Sequence, residues 1–269
     1  MEPKIAIFIP AHDVSHVIPT VLDRIPEELK KSVAEILVID NASKDNTYLT
    51  VIGYKHDKDL QNLKIIKNEK DLGYGGSQKL AYQYCFDKGY DIVVMLHGDA
   101  QYAPEYLPAL IKPVKEGKAD LVFGSRMAGK PLQGGMPLWK YLGNKTLTKL
   151  ENSILGTNLS EFHSGYRVFS CEALRKIPLE RCTSEYYFDT EILILFHCAG
   201  LRITESPIPT HYGKESTSPN FKHLYTYCSN IVLTMGKYLL HQKGIKTYPL
   251  IQGISGPEHK IKGHCPKSE

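Results

Sequence analysis

The 269-residue chain has no run of about 18 apolar residues, so its sequence predicts no membrane-spanning helix. Its first apolar run, at 5–9, stops at Pro10 and is too short for a signal peptide. The six cysteines are scattered and form no CxxC pair. Neither a zinc site nor a disulfide framework is indicated, and incidental or buried thiols in a reducing compartment are expected. There is no strong charge bias either, the formal net charge being +4. Such a chain tolerates phosphates, nucleotides or an anionic membrane surface and demands none of them; no nucleic-acid partner is expected. Internal repeats and low-complexity segments are absent. One tryptophan stands beside seventeen tyrosines, an imbalance that carries no functional weight by itself.

What the chain does have is a regular alternation. Short β-rich runs are KIAIFIP (4–10), AEILVID (34–40), NLKII (62–66), DIVVMLH (91–97) and ADLVFGS (119–125). Between them lie segments with helical spacing. Residues 14–29 carry Val14, Val17, Ile18, Val21, Leu22 and Ile25, and 75–88 and 106–114 follow the same pattern. Buried strands alternating with amphipathic helices predict an α/β fold with a mostly parallel sheet covered on both faces. After Pro219 an apolar stripe runs through Phe221, Leu224, Tyr225, Cys228, Ile231, Val232, Met235, Tyr238 and Leu239 and predicts one amphipathic helix over 220–243. From 245 onward the sequence is irregular, and a mobile tail is expected. The expected organisation is a catalytic domain at 1–219, a helix at 220–243 and a tail at 244–269.

Open parallel sheets bind ligands beyond the carboxyl ends of their strands. Those ends read Pro10-Ala11-His12-Asp13, Asp40-Asn41-Ala42-Ser43, His97-Gly98-Asp99-Ala100-Gln101 and Gly124-Ser125-Arg126. Acids and an arginine on one edge suit a nucleotide diphosphate with a metal ion. Asp, Asn and Ser after a strand are also common helix caps, and for 40–47 both readings stay open. The run Gly73-Tyr74-Gly75-Gly76-Ser77-Gln78 is not a dinucleotide fingerprint. It does not follow the first strand, and Gln78 stands where the last glycine is required.

Taken together these pieces resemble the family 2 glycosyltransferases of GT-A fold, in particular the dolichol-phosphate mannosyltransferase-like and polyprenyl-phosphate glycosyltransferase branch. The matching stretches come in family order: IFIPAHDVSHVIPTVLDRIP (7–26), ILVIDNASKDNT (36–47), DLGYGGSQKLAY (71–82), VVMLHGDAQYAPE (93–105), ADLVFGSRM (119–127), GNKTLTKLENSILGTNLSEFHSGYRVFS (143–170) and FDTEILILFHCAGLRITESPIPTHYGKESTS (188–218).

The resemblance implies roles. Pro10, Ala11, His12 and Asp13, with Asp40, Asn41 and Ser43, would hold the base and ribose of a UDP- or GDP-sugar. Gly73, Gly75 and Gly76 would open a helix beside the donor sugar. Gly98, Asp99, Ala100 and Gln101 form the metal turn, in which Asp99 and Gln101 would hold Mg²⁺ or Mn²⁺. Arg126 would carry diphosphate charge. Glu161 is the first candidate for a general base or for acceptor positioning, the other reading being a capping acid before a short strand. Arg167 either holds an acceptor phosphate or pins a loop. Lys214, with Tyr212 and Ser216, belongs to a basic loop that closes over the diphosphate, and Asp189 and Glu191 are read as structural.

Two departures stand out. The opening motif has lost both of the family's glutamates, and His97 replaces the first acid of the metal motif. His97 is a neutral ligand, a phosphate donor or a packed residue; the oxygen preference of Mg²⁺ favours the readings in which it is not a ligand.

The expected activity is inverting, metal-dependent transfer to a polyprenyl phosphate, with a saccharide hydroxyl as the alternative acceptor. A non-catalytic nucleotide-sugar-binding subunit is a rival. A nucleotidyltransferase is another, although its Gly-rich, Arg- and Lys-bearing opening loop is missing. The 220–243 helix packs on its own domain, on a second copy, or in the headgroup layer of a membrane. The expected location is cytoplasmic, with peripheral attachment to the inner membrane face if that helix lies in the membrane.

Overall fold

The computed structural model describes residues 2–210, 212 and 221–254. Seven strands form one sheet: β1 (Ile5–Ala11), β2 (Glu35–Asp40), β3 (Leu63–Lys67), β4 (Ile92–Met95), β5 (Leu121–Ser125), β6 (Arg167–Ser170) and β7 (Ile203–Pro207). Their order is β3-β2-β1-β4-β6-β5-β7. All neighbours are parallel except β6, which runs antiparallel to both β4 and β5. The helices are α1 (Ile18–Arg24), α2 (Glu27–Ser32), α3 (Thr47–Asp57), α4 (Tyr74–Asp87), α5 (Leu107–Lys115), α6 (Leu138–Leu155), α7 (Cys171–Leu174), α8 (Phe188–Cys198) and α9 (Phe221–Gln242).

Strands β1, β2, β4 and β5 are buried on both faces, whereas the edge strands β3 and β7 keep exposed polar residues. Ile5, Ile7 and Ile9 of β1 point into a core shared with α1, α3 and α5. Ala6 and Phe8 point into a second core shared with α4, α8 and α9. Burying each large apolar side chain contributes about 1.5–3 kcal/mol, so the doubly covered strands anchor the fold.

The helix expected over 14–29 is two helices. Pro26 forces Ile25 out of helical conformation (ψ 128) and then caps α2. The apolar stripe still works, since Ile18, Val21, Leu22 and Ile25 are all buried.

Helix α9 packs on its own domain. Ile231, Met235 and Tyr238 are buried in the second core. The following turn joins it there, with Tyr248, Leu250 and Ile251 buried. The segment 248–251 is therefore packed rather than part of a loose tail, because three apolar side chains reach the core, whereas 244–247 is exposed; residues 255–269 lie outside the described residues. Among the described residues no helix is long and apolar enough to cross a membrane.

Candidate active site

The sheet order reverses between β1 and β4, and the crevice beyond their carboxyl ends is where such folds bind ligands. Backbone strain concentrates on this edge. Asp13 (φ 52), Ala42 (φ 58) and Ala100 (φ 58) all adopt the left-handed conformation that non-glycine residues avoid. Each such residue costs about 1 kcal/mol, which is held by the surrounding hydrogen bonds and is typical of ligand-clamping turns.

The first two loops are stitched together. The Asp13 Oδ1 accepts from the Lys44 amide at 2.7 Å, and the Asp13 amide donates to Ser43 Oγ at 3.0 Å. The His12 ring nitrogen Nδ1 lies 2.9 Å from the Asn41 carbonyl. Asn41 in turn organises the 68–73 loop, its Oδ1 accepting from Asn68 Nδ2 and the Leu72 amide, both at 3.0 Å. Asp40 is fully buried at the end of β2. Its Oδ1 accepts from the Ser43 amide at 2.9 Å, as a capping acid would. Its Oδ2, however, is a buried acceptor without a partner. An orphaned carboxylate oxygen is costly and suits a ligand N–H or hydroxyl. An adjoining cavity of about 410 Å³ is lined by Ala42, Ser43, Lys67, Asn68 and Glu69.

Two glycines at the start of α4 lie close to the chain's own backbone. A Cβ on Gly73 would lie 2.5 Å from the Ser184 carbonyl oxygen, and one on Gly75 would lie 2.5 Å from that of Thr183. The Gly75 amide donates to Ser184 O at 2.8 Å. The close approach that these two glycines permit is to the chain's own 183–184 segment. Gly76 is less constrained, its nearest neighbour being Leu72 at 3.0 Å.

The metal turn follows β4. Gly98 lies against the first loop, its amide 3.3 Å from the Pro10 carbonyl oxygen, which a Cβ would meet at 3.0 Å. Asp99 Oδ1 accepts from the Gln101 amide at 3.1 Å, and both side chains are half-buried. No group of three or more His, Cys, Asp or Glu among the described residues could hold a metal by itself. One carboxylate and one amide fit a hard divalent cation only if diphosphate and water oxygens complete its shell.

Arg126 leaves β5 and meets Glu161. Its backbone amide donates to Glu161 Oε2 at 2.9 Å, its Nε to Oε1 at 2.8 Å, and its Nη2 makes a further very short contact with Oε1. Asn144 Nδ2 also donates to Oε1 at 2.9 Å. Burial opposes ionisation of Glu161, but the adjoining guanidinium outweighs it and holds the carboxyl below its ordinary range. Glu161 is wholly buried. Both its oxygens are engaged and its basicity is lowered, so this geometry does not offer a general base; it offers a clamp that sets Arg126. The Arg126 Nη2 also donates to the His163 carbonyl at 2.9 Å.

Arg167 is 1% exposed. Its Nε, Nη1 and Nη2 donate to the carbonyls of Ser164, Asp189 and Phe162. Of its two open readings, this is the loop pin: burial and three backbone acceptors leave it unsuited to an acceptor phosphate. Glu191 accepts from the Thr183 amide at 2.6 Å and serves the same 183–184 segment. Lys214 and Ser216 lie outside the described residues. Tyr212 is described, and its amide donates to Gly134 O at 2.9 Å.

Lys140, near the start of α6, lies between the family-like stretches 119–127 and 143–170. Burial and the neighbouring Arg126 both lower its pKa, while the charges of Glu161 and Asp99 act in the opposite direction. Its Nζ sits 4.8 Å from the Tyr212 ring centroid. Lys140 thus feels the charges of Asp99, Arg126 and Glu161. The only hint in the sequence is a lysine embedded between Leu138-Trp139 and Tyr141-Leu142 after a Gly-Pro loop.

Residues 6–178, more than half of the chain, match the family described as Glycosyl transferase family 2. The chain belongs to this family. It is 28% identical over 260 residues to the UDP-N-acetylglucosamine–dolichyl-phosphate N-acetylglucosaminyltransferase of Methanococcus voltae, covering 88% of this chain and 99% of that protein. It is 28% identical over 206 residues to the undecaprenyl-phosphate mannosyltransferase of Micrococcus luteus, covering 76% and 82% respectively. Among solved structures it is similar to glucosyl-3-phosphoglycerate synthase from Mycobacterium tuberculosis, crystallised with Mn²⁺, uridine diphosphate and phosphoglyceric acid. The TM-score is 0.68 at 20% identity, covering 91% of this chain and 80% of that one. That likeness carries the GT-A fold. This family 2 member is accordingly a nucleotide-sugar transferase with a mostly parallel sheet and helices on both faces.

Proposed function

We propose that this family 2 glycosyltransferase moves a sugar, with inversion, from a uridine diphosphate sugar to a polyprenyl phosphate. The observation that carries the acceptor is the start of α6. Lys140 is half-buried within the electrostatic reach of Arg126 and Asp99, while Leu138, Trp139 and Leu142 of the same helix are 61%, 51% and 53% exposed. A cationic phosphate seat beside an uncovered apolar surface suits a lipid phosphate. Both curated relatives described above are named for such lipid phosphates, one of them is named for a UDP-sugar, and the solved neighbour was crystallised with uridine diphosphate.

In this reading a phosphate oxygen of the acceptor attacks the anomeric carbon of the donor sugar. The bond to the nucleoside diphosphate breaks from the opposite face, and the electron pair leaves with the diphosphate. The nucleophile is already anionic, so no side chain need remove a proton. That agrees with a Glu161 committed to Arg126. Arg126 and Lys140 hold the negative charge that grows on the leaving group and orient the incoming phosphate. A divalent cation held by Asp99 and Gln101, when bound, supplies further charge neutralisation. Asp40, Asn41 and Ser43, with the Pro10–Asp13 loop, seat the nucleoside.

The direct test incubates the protein with Mn²⁺ or Mg²⁺ and a panel of UDP- and GDP-sugars, with and without a short-chain polyprenyl phosphate. Release of nucleoside diphosphate is expected to require the cation and to rise at least tenfold with the lipid. Release stimulated by a saccharide and indifferent to the lipid would replace this reading with hydroxyl transfer.

Helix α9 also exposes apolar side chains, Tyr225, Val232 and Leu233 being 75%, 49% and 59% exposed, with the exposed Lys237 on the same helix. We take it to lie in the headgroup layer. Removing α9 would uncover the core through Ile231 and Met235, so point substitutions are the sound test. Changing Leu138, Trp139 and Leu142 together to Glu is expected to reduce flotation with anionic vesicles about tenfold. Unchanged flotation would remove the membrane contact of α6.

A further inference from the structure

His163 stands in the 160–167 loop, and its side chain is 7% exposed. It lies where α6, α8 and α9 meet that loop. Its backbone carbonyl accepts from Arg126 Nη2 at 2.9 Å. Its ring faces α6 on one side, with Nε2 3.2 Å from Oε2 of Glu151. On the other side Nδ1 lies 3.0 Å from the Tyr227 hydroxyl of α9, and the two rings meet edge-on at 5.8 Å. Thr190 of α8 completes the group, its hydroxyl donating to Glu151 Oε1 at 3.4 Å.

This is an expensive way to pack three helices. Glu151 is wholly buried, and His163 is its ion-pair partner among the described residues. Apolar side chains of similar size would fill the same space without the cost of desolvating a carboxylate. What the polar atoms add is direction, because they fix the imidazole relative to two helices at once. Helix α9 depends on that fixing. It is buried from Ile231 onward, whereas none of residues 224–230 is buried. Tyr227 fastens this first half to the domain. Burial raises the Tyr227 pKa well above its ordinary value, so the phenol keeps a proton to give to Nδ1.

A path of direct contacts therefore runs from α9 through Tyr227 and His163 to the guanidinium of Arg126. We propose that Tyr227 and His163 are positioning residues for the transfer reaction, and that through them the seating of α9 sets the direction of Arg126. This rests on Arg126 meeting the diphosphate, as in the proposed function, and deepens that reading. It makes α9 part of the working site, although none of its described residues touches the strand ends that seat the nucleoside.

The test reads Arg126 directly in the full ¹⁵N-labelled chain. Its Nε–H gives a resonance in a ¹H–¹⁵N spectrum, which Arg126→Lys identifies by its loss. Tyr227→Phe removes one hydroxyl. It is expected to shift that resonance and to leave the Nε–H of Arg202, paired with Asp120, in place. In nucleoside diphosphate release with a short-chain polyprenyl phosphate, it should lower kcat about tenfold and keep the donor KM within about twofold, because Arg126 is misdirected while the nucleoside seat is intact. The spectrum needs no substrate, so an unmoved Arg126 resonance overturns the proposal whatever the acceptor. A shifted resonance with unchanged kcat overturns it as well, and Arg126→Lys then locates the failure. An inactive Arg126→Lys leaves the role of Arg126 in the proposed function standing, whereas an active one removes that role too. Glu151→Leu with His163→Leu takes out both sides of the buried contact. Adding Tyr227→Phe to that pair should lower kcat no further. A second loss of the same size would show that the hydroxyl acts by another route, and would overturn the link through His163.

Discussion

Asp99→Asn is expected to lower kcat/KM for sugar transfer by about 10³, or about 4 kcal/mol of transition-state stabilisation. The substitution is nearly isosteric. The amide oxygen can still accept from the Gln101 backbone at the position Oδ1 now holds, so the turn through Ala100 persists. What disappears is the negative charge that draws a divalent cation to the diphosphate. No other acid among the described residues completes a metal cluster, so nothing nearby can substitute. Thermal stability should change by no more than about 0.5 kcal/mol, as for other substitutions on partly exposed turns. Steady-state kinetics over a Mn²⁺ titration, with a melting curve on the same sample, checks both halves. A variant that retains turnover within a factor of ten would move the cation site away from this turn.

Much of the architecture is legible in the sequence because physics writes it locally. Four of the five strands of the first 125 residues are buried on both faces, and the terminal residues of all five fall on one sheet edge whatever the exact register. The antiparallel β6 and the edge strand β7 read Arg-Val-Phe-Ser and Ile-Thr-Glu-Ser-Pro, with too few apolar residues to mark a strand. The break between α1 and α2 comes from one proline inside an otherwise continuous stripe. At the site, residue type announces Asp99 and Arg126, yet partners decide roles. Glu161 and Arg167 are charged residues in a motif that suggests ligands. Only the fold reveals that one is closed around Arg126 and the other tied to three carbonyls. Gly73 and Gly75 look like ligand-contact glycines, and their constraint comes from residues more than a hundred positions later. Lys140 and the Tyr74–Asp189 pair carry no local signature, because their surroundings are assembled from distant segments.

Glu161→Ala is expected to cost about 3–5 kcal/mol of stability, lowering Tm by about 10 °C, because it strands a buried guanidinium. Arg126 is 8% exposed, and Glu161 receives its amide, its Nε and its Nη2. Activity should fall as well, since an unclamped Arg126 no longer points its charge. Three comparisons separate a clamp from a base. Glu161→Gln keeps the shape and an acceptor oxygen, so a clamp predicts a stability loss with kcat reduced less than about tenfold, whereas an essential base predicts a kcat loss of at least 10². The double change Arg126→Met with Glu161→Leu should recover most of the stability, because apolar replacement of a whole buried pair is often neutral or better. It should nevertheless remain inactive, having no charge to meet the diphosphate. Acid gives the third comparison. The folded carboxyl titrates below its ordinary 4.5, so its stabilisation is complete above about that pH and is lost as pH falls through the folded value. The stability gap between the native protein and Glu161→Gln should therefore narrow on acidification below pH 4.5. A gap that stays constant to the pH of acid unfolding would show that the pair is not ionic in the folded state, and Arg126 would then need another source of order.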